Sequence, residues 1–207
     1  MTKRGKFIVF EGNEGTGKST HIRNLSAYLK TIDHKHIVTR EPGGTEFGES
    51  VRSILLNSKS TLDPTSEALL FYASRIMNYR NVILNAMDAG QTVICDRFHY
   101  STLVYQGLSQ NCDEVCRLHE TLDAIFSEHI SIIIYLDASV ETCLSRINKR
   151  KKSDKFELQG KKFLEDIKRS YQIAFKDNGK KFAVDTDQKI DTVTDIIRRK
   201  IDVILDE

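Results

Sequence analysis

Near the start of the chain, Gly12-Asn13-Glu14-Gly15-Thr16-Gly17-Lys18-Ser19-Thr20 sets out residue types able to hold a phosphate chain. The spacing Gly12-x4-Gly17-Lys18-Ser19 satisfies G-x-x-x-x-G-K-[ST]. Glycines let successive backbone N–H groups turn inward around an anion with no Cβ in the way. Lys18 brings a positive charge for the β- and γ-phosphates, and the Ser19 hydroxyl is a ligand type for Mg²⁺. Residues Gly12 to Thr20 therefore read as the cradle for the phosphates of a nucleoside triphosphate. The flanks agree: four of the five residues Lys6–Phe10 are apolar, so a buried strand runs into the loop. Ile22, Leu25, Ala27 and Leu29 then fit a helix whose N-terminus faces the same phosphates.

Other residues carry weaker signals. Val93-Ile94-Cys95-Asp96 is an apolar strand ending in an acid. Beside a phosphate loop, Asp96 is placed to join Ser19 in holding Mg²⁺ or one of its waters. Arg97 follows, and at a strand's C-terminal end it points into the ligand crevice of a parallel sheet. Phe71 and Arg75 stand four apart and share a helix face, where stacking and hydrogen bonding suit a planar heterocycle. From spacing alone, a core Phe beside a solvated Arg is the favoured reading. Arg146 and Arg150 are also four apart and run into Lys151, Lys152, Asp154 and Lys155. Such a run is usually a solvated face, yet mobile cations also stabilise a transferring phosphoryl group.

The elements that would position these groups alternate. Strands are expected at Lys6–Phe10, His36–Thr39, Thr92–Cys95, Ile130–Leu136 and Phe182–Asp185. Helices are expected from the phosphate loop to Leu29 and over Glu49–Leu56, Thr65–Ala89, Tyr100–Gln106 and Asp113–Phe126. Val140–Arg150, Lys161–Lys176 and Ile190–Leu205 complete the set. Strand–helix alternation predicts an α/β fold, a five-stranded parallel sheet covered by helices on both faces. The 207 residues fit one domain, enough to bury roughly 70% of the unfolded surface. Residues Lys149–Gly160 are too charged for a core and read as a surface loop.

Composition narrows the class. A net charge of +2 leaves no general footprint for nucleic acid or a membrane surface. The longest apolar stretch, Ile130–Leu136, is far short of the ~20 residues of a membrane span. The run after Lys3, Arg4 and Lys6 stops at Glu11, too early for a signal peptide's core. Cys95, Cys112, Cys116 and Cys143 show no C-x-x-C pairing, which fits reduced thiols in the cytoplasm.

Five segments in order carry a resemblance: Phe10-Glu11-Gly12-Asn13-Glu14-Gly15, Thr39-Arg40-Glu41-Pro42-Gly43-Gly44-Thr45, Phe71-Tyr72-Ala73-Ser74-Arg75, Asp96-Arg97-Phe98 and Ser101-Thr102-Leu103-Val104-Tyr105-Gln106-Gly107. Over essentially its full length the chain resembles the thymidylate kinases, P-loop nucleoside monophosphate kinases. The resemblance implies transfer of the γ-phosphoryl of ATP to dTMP. Phe71 would stack on thymine and Arg75 donate to a carbonyl, with Thr102 and Gln106 at the base edge and Ser101 nearby. Tyr105 would crowd a ribose 2′-hydroxyl, and Glu14 would lie near the 3′-hydroxyl. Arg97, with Arg40 or Arg52, would hold the monophosphate. Lys18, Arg97, Arg146 and Arg150 would be the catalytic cations, the last two on a lid at about 146–160.

Asn13, Glu14 and Thr16 are not basic, so the loop looks like the bacterial-type, lid-dependent form. Lys155 stands where relatives often have Arg, which leaves open whether it or Arg150 reaches the phosphoryl group. The resemblance also implies a homodimer. Rival readings are a kinase of another nucleoside monophosphate, a GTP-dependent switch and a non-catalytic binding protein. A switch needs Asn-Lys-x-Asp, whereas Asn148-Lys149 is followed by Arg150-Lys151.

Overall fold

The computed structural model describes residues 3–56, 62–149 and 160–206. Five strands form one parallel sheet in the order β2-β3-β1-β4-β5: β1 (Phe7–Gly12), β2 (His36–Arg40), β3 (Thr92–Asp96), β4 (Ile132–Asp137) and β5 (Lys181–Asp185). Helices cover both faces, as expected. Strand alternation assigns side chains to opposite layers. Phe7 and Val9 join Cys95, Tyr135, Phe126, Tyr171 and Phe175 on one side. Ile8 and Phe10 meet Leu25 and Leu29 of α1 (Lys18–Thr31) and Ile197 and Ile201 of α9 (Ile190–Asp206) on the other. Phe7, Ile8, Val9 and Phe10 are all 0% exposed, so this central strand is held from both faces at ~1.5–3 kcal/mol per buried side chain.

The remaining elements follow local signals. Thr45 caps α2 (Glu46–Leu55) by accepting from the Gly48 N–H at 3.0 Å, with Glu46 and Glu49 in the first turn. Asp63 caps α3 (Pro64–Asn78), whose proline sits where no N–H is needed. The Thr65–Ala89 expectation is met by α3, a π-turn at Tyr79–Ile83, and α4 (Leu84–Asp88). The Tyr100–Gln106 expectation becomes one turn, α5 (His99–Thr102), then a second π-turn at Leu103–Gly107. Such expansions recur at functional sites. Then come α6 (Asp113–Ser127), α7 (Val140–Asn148) and α8 (Gly160–Ala174).

Strand boundaries differ modestly from expectation. β1 runs on through Glu11 and Gly12, which pair with Tyr135 and Leu136 of β4, so parallel pairing extends the strand beyond its apolar run. β4 begins at Ile132 rather than Ile130. Arg150, Lys155 and most of the expected lid lie outside the described residues.

Candidate active site

The loop leaves the C-terminal end of central β1 and enters α1 at Lys18. Gly12 and Gly15 are required there by space. A Cβ on Gly12 would stand 2.4 Å from the Leu136 carbonyl oxygen, and one on Gly15 would stand 2.6 Å from that of Cys143. Gly15 and Gly17 both have left-handed φ, 79° and 91°. Asn13 and Thr16 brace the loop. The Asn13 amide donates to the Leu164 carbonyl at 2.8 Å, and the Thr16 hydroxyl donates to the Asn13 carbonyl at 2.9 Å. Thr20 lies in the first turn of α1.

Lys18 is buried. Its ammonium donates to the carbonyls of Gly12 at 3.0 Å and Asn13 at 2.9 Å. Burial and the nearby Arg97 cation lower its pKa, while Glu14, Asp96 and Glu11 oppose them. The Ser19 hydroxyl lies 3.5 Å from Asp96 Oδ2, so a hydroxyl and a carboxylate meet beside the loop. Both are hard oxygen donors of the type Mg²⁺ takes. They line one cleft together with Lys18, Arg40, Arg52 and Arg97.

Arg97 adopts a left-handed φ of 66°, uncommon for a residue with a side chain. The turn is secured by Glu11, wholly buried, whose carboxylate accepts from Phe98 N at 2.8 Å, Ser101 N at 3.1 Å, Ser101 Oγ at 2.6 Å and Tyr171 Oη at 2.8 Å. The Arg97 guanidinium donates to the Gly12 carbonyl at 2.9 Å, to Ser101 Oγ at 3.1 Å and to Tyr171 Oη at 3.2 Å. Its other nitrogen pairs with Glu14 and reaches Tyr105 Oη at 3.2 Å.

A second pocket adjoins the cleft, lined by Phe71, Arg75, Ser101, Thr102, Tyr105 and Gln106, and shares Glu14, Glu41, Arg52 and Arg97 with it. Phe71 and Arg75 thus share a wall, as their spacing required, but Arg75 is not solvated: it is 1% exposed. Its Nε donates to Glu41 Oε2 at 2.5 Å, Nη1 to Thr102 Oγ1 at 3.0 Å and Nη2 to the Phe98 carbonyl at 3.1 Å. Burial raises the Glu41 pKa against the pull of Arg75 and Asn78, and Asn78 donates to its other oxygen at 3.2 Å. Gln106 Nε2 donates to the buried Glu67 at 3.1 Å.

The remaining cations separate. Arg52 donates to the Pro42 carbonyl at 2.9 Å and borders both pocket and cleft. Arg40, more than half exposed, pairs with Glu49 at 3.0 Å on the cleft side alone. Arg146 reaches the loop from behind, donating to the carbonyls of Gly15 at 3.3 Å and Thr186 at 2.7 Å. Sequence reasoning missed the roles of Glu11, Glu41, Glu67, Asn78 and Tyr171. Glu11 and Glu41 had a signal, since each is an acid at or just beyond a strand end, within two residues of a glycine. Tyr171 had none.

A phosphate loop at the end of a central parallel strand, with an acid one strand away and an adjoining pocket, walled by Phe71 and Arg75, that shares its arginines, defines a P-loop nucleoside monophosphate kinase. The family model described as Thymidylate kinase matches residues 10–197, and the chain belongs to the thymidylate kinase family. It is 35% identical to the thymidylate kinase of Caldicellulosiruptor saccharolyticus over 98% of both chains. It is 39% identical to that of Prochlorococcus marinus over 90% of this chain and 92% of the relative. Against that of Thermosipho melanesiensis it is 37% identical over 97% of this chain and 99% of the relative.

Proposed function

We propose that this chain transfers the γ-phosphoryl group of ATP to dTMP, giving ADP and dTDP. The observation that carries the reading is the shared wall: Glu14, Glu41, Arg52 and Arg97 border both the base pocket and the phosphate cleft. A nucleotide whose base lies on Phe71 then puts its own phosphate beside Arg97 and Arg52, facing the loop. Arg40 adds charge at the cleft rim. The acceptor oxygen is already ionised, so no strong general base is required, and catalysis is positioning with charge neutralisation.

Gly12 to Thr20 hold the ATP phosphates, with Lys18 beside the transferring group and Arg146 bracing the Gly15 carbonyl. Ser19 and Asp96 would hold Mg²⁺, which when bound neutralises charge on the phosphate oxygens. Thr102 and Gln106 face the base edge, and Tyr105 lies under the sugar. The chain acts as one domain with a lid at about 146–160, from which Arg150 or Lys155 supplies a further cation.

The working form is a homodimer in the cytoplasm, with no nucleic acid or membrane partner. Phe47 and Ile54 of α2, Leu69 and Met77 of α3, and Ile125 of α6 are large apolar side chains left exposed on helices packed side by side. Four unpaired thiols fit a reducing compartment. Among the described residues, no helix is long and apolar enough to cross a membrane.

ADP release measured with dTMP, dUMP, dGMP and AMP as acceptors tests the reaction. Highest kcat/KM on dTMP is expected; preference for a purine nucleotide would replace this reading with a kinase of another monophosphate.

A further inference from the structure

Among the amide and charged side chains that line the base pocket, Gln106 is the one whose hydrogen-bonding sense depends on which way it is turned. The Gln106 amide offers an acceptor oxygen on one side and a donor NH₂ on the other. Turned one way it reads a ring N–H; turned the other, it reads a bare ring nitrogen. Arg75, in the same wall, has no such ambiguity, because a guanidinium only donates.

Glu67 of α3 removes the ambiguity. Its Oε2 takes the Gln106 Nε2 at 3.1 Å, with Glu67 4% and Gln106 1% exposed. A carboxylate oxygen accepts and does not donate, so the reversed amide would set two oxygens against each other in a buried site. Among the described residues no protein donor reaches Gln106 Oε1, and the one sealed-off side-chain polar atom without a partner is His99 Nδ1. Gln106 Oε1 is therefore left for what enters the pocket that Gln106 lines.

We infer that Glu67 is a positioning residue for base selection: it holds the Gln106 amide with its oxygen toward the base, so that the pocket takes a pyrimidine with an N3–H and refuses one with a bare N3. This inference rests on the dTMP reading and deepens it. Thymine presents a carbonyl at C4 and a hydrogen on N3, which match an Arg75 donor and a Gln106 acceptor side by side. Cytosine presents an amine at C4 and a lone pair on N3, so donor meets donor and acceptor meets acceptor. Uracil has the same edge as thymine; Glu67 therefore sets pyrimidine polarity and leaves the 5-methyl group to other contacts.

The test is kcat/KM for dTMP and for dCMP, with ATP, in the wild type, Glu67→Gln and Gln106→Leu. In Glu67→Gln the new amide can accept or donate, and the Gln106 amide is free to turn. The dTMP/dCMP ratio is expected to fall ~10-fold or more in Glu67→Gln and in Gln106→Leu. A purely structural role for Glu67 lowers both substrates by one factor and leaves the ratio unchanged, which overturns the inference. If Glu67→Gln does not fold, Gln106→Leu alone decides, since an unchanged ratio there removes the proposed reader. A wild type that uses dCMP as well as dTMP also overturns it. A wild type inactive on dTMP instead overturns the assigned reaction, which is visible before any variant is made.

Discussion

Arg97 and Glu14 form an ion pair where the base pocket meets the phosphate cleft, with side chains 16% and 15% exposed. Burial works against the Arg97 charge, but the Glu14 carboxylate beside it holds its pKa well above the ordinary arginine value. The cation is thus present and aimed before any nucleotide arrives. On the proposed reading, a monophosphate would meet a guanidinium already fixed by Gly12, Ser101, Tyr171 and Tyr105. Little ordering entropy remains to be lost on binding.

Arg97→Lys keeps the charge but loses the planar fork. Each lost charge-assisted hydrogen bond is worth about 1.5–3 kcal/mol, so kcat/KM for dTMP is expected to fall ~10–100-fold. Steady-state kinetics at saturating ATP provides the measurement. A loss smaller than ~3-fold would remove Arg97 from phosphate binding.

Lys18→Ala removes the cation at the centre of the loop. Turnover is expected to drop by ~10²-fold or more, as for a missing oxyanion-type partner. Because Lys18 is buried and donates to two loop carbonyls, some stability loss accompanies it, so circular dichroism should confirm the fold. A folded variant with near wild-type turnover would refute the phosphate-loop assignment.

Tyr105→Ala tests sugar selection. The ring packs against the Arg97 guanidinium, 5.0 Å from its centroid, and lines the nucleotide pocket. If it crowds the 2′ position, the kcat/KM ratio of dTMP over its ribonucleotide analogue falls in the variant. An unchanged ratio assigns ribose rejection to another residue.

Acid lability is expected from a buried cluster behind the pocket. The His99 Nε2 bonds Asp123 Oδ1 at 2.8 Å, and its ring stacks on His119 at 5.2 Å. Burial lowers the His99 pKa from 6.5 to about 4, opposed by the Asp123 hydrogen bond. Burial and the neighbouring His99 lower that of His119 to about 3. Both folded-state values lie below the unfolded one, so the unfolded chain binds more protons once the pH drops below the latter. Stability is full above pH 6.5, declines as pH falls below it, and levels off once the pH has passed about 4 for His99 and about 3 for His119. The slope approaches about 1.4 kcal/mol per pH unit for each histidine. Urea unfolding between about pH 7 and pH 5 should give a shallower decline in His119→Gln than in the wild type. Equal slopes would show that His119 does not contribute.

The sequence by itself determined the phosphate loop, the alternation of strands and helices, and the placement of Asp96, Arg97, Phe71 and Arg75 on the elements that carry them. These are local facts. A P-loop lies within one strand–turn–helix, and a strand's buried faces follow from a period of two residues. Tertiary structure alone decided what those side chains touch. Arg75 looks solvated from its spacing and is instead buried, because Glu41, Thr102 and Phe98, up to 34 residues away, take up three of its five N–H donors. Tyr171 meets Glu11 across 160 residues, and Gln106 meets Glu67 across 39. No periodicity encodes such pairs. A buried carboxylate is tolerated only where donors from several elements converge on it, and that convergence exists only once the sheet has brought the elements together.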